Sequence, residues 1–133
     1  MQGESIGLRS TDIASLIATI KKGLPVKSLS TLSKNLGVPE NQMAVAVNIS
    51  QRTLTNRKKQ GRLKADESER VFRLATLYER AREVLGTNES AKRWFHSPVK
   101  GLGGKTPFEF ADTEPGAREV MDVLGRIEAG IFS

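Results

Sequence analysis

The chain has 133 residues, 38% of them hydrophobic, and a formal net charge of +6. That length supports one compact domain or two very small ones. Cysteine is absent and His96 is the only histidine, which excludes a disulfide framework, thiol chemistry and a histidine-rich metal site.

The first 25 residues carry no long apolar run. Neither a signal peptide nor a membrane span is expected, and the cytoplasm is the plain inference. The charge is unevenly placed. Residues 1–60 hold nine Lys and Arg against three Asp and Glu, whereas residues 61–133 hold twelve against twelve. A basic front half joined to a neutral back half points to a nucleic-acid face attached to a second module.

Helical spacing dominates and the expected fold class is all-α. Ile13, Leu16, Ile17 and Ile20 recur at helical spacing, and Gly23 with Pro25 ends that helix. Ser28 is placed to cap a short helix carrying Leu29, Leu32 and Leu36, stopped by Gly37-Val38-Pro39. A third helix is expected from about Glu40 to Val47 and a fourth from about Gln51 to Gln60.

After Gly61 the character changes. Asp66 and Glu69 have capping-box spacing and open a long amphipathic helix with Val71, Leu74, Ala75, Tyr78, Ala81 and Leu85, closed by Gly86. Asn88 is expected to cap a shorter helix through Trp94-Phe95, ended by Pro98. Gly101, Gly103 and Gly104 make a loop, and Thr106-Pro107-Phe108-Glu109 combines an N-cap, a proline at the first helical position and a glutamate at the third. The last helix shows Ala117, Val120, Met121, Leu124 and Ile127, with Gly130 as its stop.

The third and fourth helices meet at Val47-Asn48-Ile49-Ser50. A helix-turn-helix needs a small residue in its first helix, a turn residue tolerating positive φ, an apolar residue after the turn and an apolar anchor in the second helix. Ala44, Asn48, Ile49 and Leu54 occupy those places, and Ser50 is placed to cap the second helix. At about 100° per residue, Gln51, Arg52, Thr55, Asn56 and Lys59 fall on one arc away from Leu54. Gln, Arg and Asn make bidentate contacts to base edges, while Lys58, Lys59 and Arg62 suit phosphate contacts. Arg57 faces inward, where many such motifs place an apolar residue; a subunit contact or the rim is expected for it. The competing reading of the same residues is an ordinary helical hairpin with a soluble face.

No catalytic constellation is present, and no metal or cofactor is expected. Gly103-Gly104-Lys105-Thr106 echoes part of a phosphate loop but lacks the spaced first glycine and a preceding strand. Trp94, Phe95, Phe108 and Phe110 are expected in the core, and His96 structural or exposed.

The back half carries Trp94-Phe95, Pro98, Leu102-Gly103-Gly104, Pro107, Gly116 with Val120, and Leu124, Ile127 and Gly130. In that combination it resembles the toxin-binding domain of the Xre/MbcA/ParS antitoxin family. The front half, with "SQRTLTNRKKQGRL", resembles the family's DNA-binding part. The resemblance implies an all-α homodimer with a helix-turn-helix part over 1–62 and a toxin-binding domain over 63–133. It implies neutralisation of a partner toxin and repression of the antitoxin's own operon through double-stranded operator DNA. The toxin it implies is a NAD-consuming RES-domain enzyme, with an ADP-ribosyltransferase as a related type.

On that reading Ser50, Gln51, Arg52, Thr55, Asn56, Lys58, Lys59 and Arg62 meet DNA. Arg118, Asp122 and Arg126 hold the toxin, and the tail Gly130-Ile131-Phe132-Ser133 is the candidate plug of its substrate cleft. The tail is apolar and has no helix of its own to pack on once Gly130 ends the last one. Alternatively Ile131 and Phe132 fold back on the antitoxin's own core. At the level of function the alternatives are a stand-alone transcription regulator whose back half dimerises or senses a ligand, and an enzyme.

Overall fold

The computed structural model describes residues 3–8 and 12–132. They form helices and turns with no strand among them; one isolated antiparallel bridge joins Pro25 to Arg62. The chain divides into two compact units, the first ending at Thr76 and the second beginning at Leu77.

The first unit opens with a 3-10 turn, Glu4–Ile6, followed by α1 (Ile13–Lys22), α2 (Lys27–Leu36), α3 (Glu40–Ala46) and α4 (Gln51–Gln60). It closes with the first turns of α5 (Ala65–Leu85). Asp12 caps α1 by accepting from the N–H of Ala14. Leu16 of α1 is buried and Ile20 half-buried, whereas Ile13 and Ile17 are 64% and 46% exposed, so half of the apolar face expected there is left uncovered by the described residues. Gly23 ends α1 at φ 101° with its N–H on the carbonyls of Thr19 and Ile20. Helix α2 starts two residues earlier than the capping pattern indicates. Ser28 lies inside the first turn and is buried rather than capping, because the N–H groups of Ser28 and Leu29 are taken by the carbonyls of Pro25 and Val26. Leu29, Leu32 and Leu36 are fully buried and pack with Met43, Ala44 and Val47 as the centre of this unit's core.

Helix α5 also begins differently from the pattern. Its first residue is Ala65, so Glu67, not Glu69, occupies the third helical position and reaches back to the N–H of Lys64 at 2.9 Å. The same stretch is tied to earlier parts of the unit. The Ser68 hydroxyl accepts from the buried N–H of Leu24 at 2.8 Å. That bonding lies within the first compact unit, which runs to Thr76.

The second unit contains the rest of α5, then α6 (Asn88–Phe95), a 3-10 turn over Lys100–Leu102, the short α7 (Pro107–Phe110) and α8 (Glu114–Phe132). Thr87 caps α6 by accepting from the N–H of Ser90. Asn88, expected as the cap, instead accepts from the Tyr78 hydroxyl at 2.8 Å and ties α6 to α5. The capping box of α7 is complete: Thr106 accepts from the N–H of Glu109, and Glu109 accepts from the N–H and hydroxyl of Thr106. Thr106 is thus engaged at a helix start, and Gly103 and Gly104 serve a turn at φ 69° and 81°. Of the four aromatic residues expected inside, Phe95 is fully buried; Trp94, Phe108 and Phe110 are half-buried. Exposed His96 sits 5.4 Å from the Phe108 ring, centroid to centroid.

Helix α8 continues through Gly130 to Phe132. The expected stop fails because Gly130 keeps a negative φ; helix-ending glycines such as Gly37 and Gly61 take φ 66° and 82°. Val120 and Leu124 are fully buried on this helix, and an Arg80–Glu128 ion pair joins it to α5.

Candidate functional site

Helices α3 and α4 form the expected helix-turn-helix. Asn48 adopts φ 57°, the one non-glycine residue with positive φ among those described. Its short polar side chain tolerates that left-handed geometry better than a branched one. The small Ala44 is fully buried, and Ile49 and Leu54 are 4% and 3% exposed. Ser50 caps α4, accepting from the N–H of Thr53 at 3.1 Å.

Gln51, Arg52, Thr55, Asn56 and Lys59 are all exposed on one side of α4. The Thr55 hydroxyl donates to the Gln51 carbonyl at 3.0 Å, turning its polar atom toward the helix itself. The side chains of Gln51, Arg52, Asn56 and Lys59 make no hydrogen bond or ion pair within the described residues. Two of the three cations assigned to phosphates are already engaged. Lys58 Nζ lies 2.6 Å from Glu40 Oε2, and Glu40 accepts from the Ser30 hydroxyl at 2.5 Å. Those contacts, Lys58 first and Ser30 second, hold the Glu40 carboxyl below its ordinary pKa. Arg62 donates to the Gly23 carbonyl at 2.6 Å. Of those three, Lys59 is the one with no partner among the described residues.

Arg57 is not at a rim. It forms a forked pair with Glu67, Nε–Oε1 2.7 Å and Nη2–Oε2 3.1 Å, with side chains 11% and 8% exposed. Burial alone would push the Glu67 carboxyl up; the Arg57 guanidinium and the Lys64 N–H outweigh it, and the pKa lies below the ordinary value. Arg70 donates from Nε to the Val47 carbonyl at 2.6 Å and from Nη2 to the Asn48 carbonyl at 3.4 Å. Sequence spacing missed Glu67 and Arg70. The one available signal was Arg57 itself, since an arginine on an inward face requires a carboxylate.

Comparison with known proteins decides between a regulator of this kind and a bare helical hairpin. A family model described as the antitoxin Xre-like helix-turn-helix domain matches residues 15–76. One described as the antitoxin Xre/MbcA/ParS C-terminal toxin-binding domain matches residues 80–130. An Antitoxin Xre of Yersinia enterocolitica is 35% identical over 130 residues, 96% of this chain and 88% of the relative. An Antitoxin Xre of Photorhabdus laumondii is 32% identical over 131 residues, 97% and 88% of the two chains. The chain belongs to the Xre antitoxin family. A third relative, the Antitoxin Xre of Pseudomonas putida, is 37% identical over 68 residues, 51% of this chain and 43% of that one.

In the Xre toxin-binding domain, Arg118, Asp122 and Arg126 lie exposed along α8 at four-residue steps. Arg118 pairs with Glu114 at 3.1 Å. Gly130 and Ile131 are exposed on the last turn, Ile131 by 60%. The Phe132 side chain and Ser133 lie outside the described residues. Gly125 and Gly130 would meet nothing within 4 Å if they carried a Cβ, so neither is required by packing inside the chain. Gly116 is different. A Cβ there would collide with the Phe110 carbonyl oxygen, and the close approach of α7 to α8 depends on it. Among the described residues no helix is long and apolar enough to cross a membrane.

Proposed function

We propose that this antitoxin binds a cognate NAD-consuming RES-type toxin, blocks its substrate cleft, and represses its own operon by binding operator DNA as a homodimer in the cytoplasm. The observation that carries the reading is the pairing, in one chain, of an Xre-like helix-turn-helix with an Xre-type toxin-binding domain. The chain itself acts by binding and has no catalytic role; an ADP-ribosyltransferase-like toxin is the second partner type.

On the DNA side, Gln51, Arg52 and Asn56 read base edges, Lys59 contacts phosphate, and Ser50 and Thr55 shape the helix that presents them. Lys58 and Arg62 each commit one donor, to Glu40 and to the Gly23 carbonyl, and meet phosphate with the donors that remain. In a gel-shift titration with the duplex upstream of its own gene, Arg52→Ala should cost on the order of 1–3 kcal/mol and relax specificity at one base pair. Lys59→Ala should weaken all sequences alike and lower the salt slope by about one. Parent-like binding by both would refute the DNA assignment.

On the toxin side, Arg118, Asp122 and Arg126 hold the partner in register, and the end of α8 from Gly130 through Ile131 to Phe132, followed in the chain by Ser133, enters its cleft. The exposure of Ile131 supports this reading, because an apolar side chain held out on a helix end gains by being covered. Deleting residues 131–133 should leave folding and DNA binding unchanged and restore toxin activity in the complex. Intact inhibition with a lower unfolding temperature would instead place these residues against the antitoxin itself.

A further inference from the structure

We propose that Glu67 and Arg70, on α5 beyond the helix-turn-helix proper, are positioning residues of the DNA reader. They set the rotation and tilt of α4 without touching DNA. The inference rests on the DNA-reading function proposed above and extends it to residues outside the motif.

The case begins with how α4 is held. Leu54 is its only buried residue, and the Lys58–Glu40 pair that ties it to α3 is open to solvent. One apolar anchor resists withdrawal but not rotation about the helix axis, because apolar contact is non-directional. Reading base edges demands the opposite: a modest rotation carries Gln51, Arg52 and Asn56 out of register with the bases they face. The helix therefore needs directional fixings, and the structure contains them.

The first is the fork between Arg57 and Glu67. Arg57 sits roughly 170° around the helix from the middle of the exposed arc, so it is the far end of the lever that aims the arc. Two parallel N–H···O bonds at 2.7 and 3.1 Å fix both distance and plane. Glu67 is itself held by the Lys64 N–H at 2.9 Å, so it cannot simply follow Arg57 if the helix turns. The second fixing lies at the other end. Arg70 grips the carbonyls of Val47 and Asn48, the residues that turn the chain from α3 into α4. Asp66 Oδ2 stands 3.6 Å from Arg70 Nη1 and steadies it. Asn48 is in a left-handed conformation whose departure would redirect α4 as a whole. A hydrophobic contact in place of either fixing would stabilise the fold equally well but would not specify an angle.

The test uses the full-length antitoxin, its own upstream duplex and a shuffled duplex of equal length. Titrations across salt give affinity, discrimination and the salt slope. Glu67→Gln and Arg70→Met should lose about tenfold in discrimination between the two duplexes, the scale of one bidentate base contact, with an unchanged salt slope. Arg57→Lys keeps the charge and the ion pair but not the fork, and should lose discrimination while retaining the parent's circular dichroism and unfolding temperature. It covers the case in which Glu67→Gln fails to fold. Lys59→Ala is the contrast, with a lower salt slope and discrimination kept. Parent-like discrimination in Glu67→Gln, Arg70→Met and Arg57→Lys overturns the positioning role, whatever their stability. A salt slope lowered by about one in Arg70→Met makes Arg70 a phosphate contact and also overturns it. If the parent itself does not discriminate, the DNA-reading function fails first, and that result is distinct from discrimination present in the parent and equal in the variants.

Discussion

At the scale of single residues, the first unit carries one defect and two depressed acids. Ser33 is buried in α2, and its hydroxyl has no hydrogen-bond partner among the described residues. A buried polar atom without a partner costs stability, and Ala is also the better helix former. Ser33→Ala should stabilise the chain by about 1 kcal/mol, measured by urea unfolding. Destabilisation would mean that the hydroxyl does bond. Glu40 and Glu67 both titrate below the ordinary carboxylate value in the folded chain. For an acid depressed by folding, the extra stability is fully present above its unfolded pKa, about 4, and is lost as pH falls through the folded value. The unfolding midpoint should therefore be flat from neutrality down to about pH 5 with respect to these two groups, then fall on further acidification. Glu67→Gln should give a shallower acid limb than the parent. An acid limb equally steep in both would show that Glu67 is not held down by Arg57.

Among the elements, α8 is the least explained by its own packing. Gly125 sits in the helix interior, exposed, with open space where a Cβ would go. A glycine there costs about 1 kcal/mol relative to alanine. Gly125→Ala should accordingly raise stability by about that amount, seen as a higher unfolding temperature of the isolated antitoxin. Inhibition of the toxin should weaken if the partner's backbone approaches this face. A variant that is more stable and inhibits normally would exclude Gly125 from the contact. The contrast is Gly116→Ala on the same helix, where the added Cβ meets the Phe110 carbonyl. Such overpacking should cost on the order of 1–3 kcal/mol.

The whole molecule has two compact units, each matched by its own family model. On the proposed DNA-reading function, one ten-residue helix reaches few bases, so pairing two copies on a palindrome would add specificity. The isolated chain is expected to show twice its monomer mass by light scattering. Its footprint should cover two half-sites separated by about one helical turn, roughly 34–36 Å. A monomer mass with a single short footprint would refute the homodimer.

Much of this was legible in the sequence because it is local. Capping and turn chemistry at Ser50, Asn48 and Thr106 and the ends of α4 depend on neighbours within a turn or two, and the basic excess of the front half is a count of residues. The motif pairing that suggested the Xre family was equally present in the order of residues. Where the local patterns misled, a neighbouring group competed for the same place. Ser28, Asn88 and Glu69 have the chemistry or spacing of a cap, but the carbonyls of Pro25 and Val26 take the first N–H groups of α2, Thr87 caps α6, and Glu67 reaches back to Lys64 at the start of α5. Gly130 has the residue type of a helix stop but not the left-handed backbone. The destination of Arg57 was decided only by tertiary structure, since its partner Glu67 lies ten residues on, in another helix. So were the engagement of Lys58 by Glu40 and of Arg62 by Gly23. Which cations remain free to meet a phosphate is a property of three-dimensional neighbours. A sequence counts charges, and only the fold determines which of them are already paired.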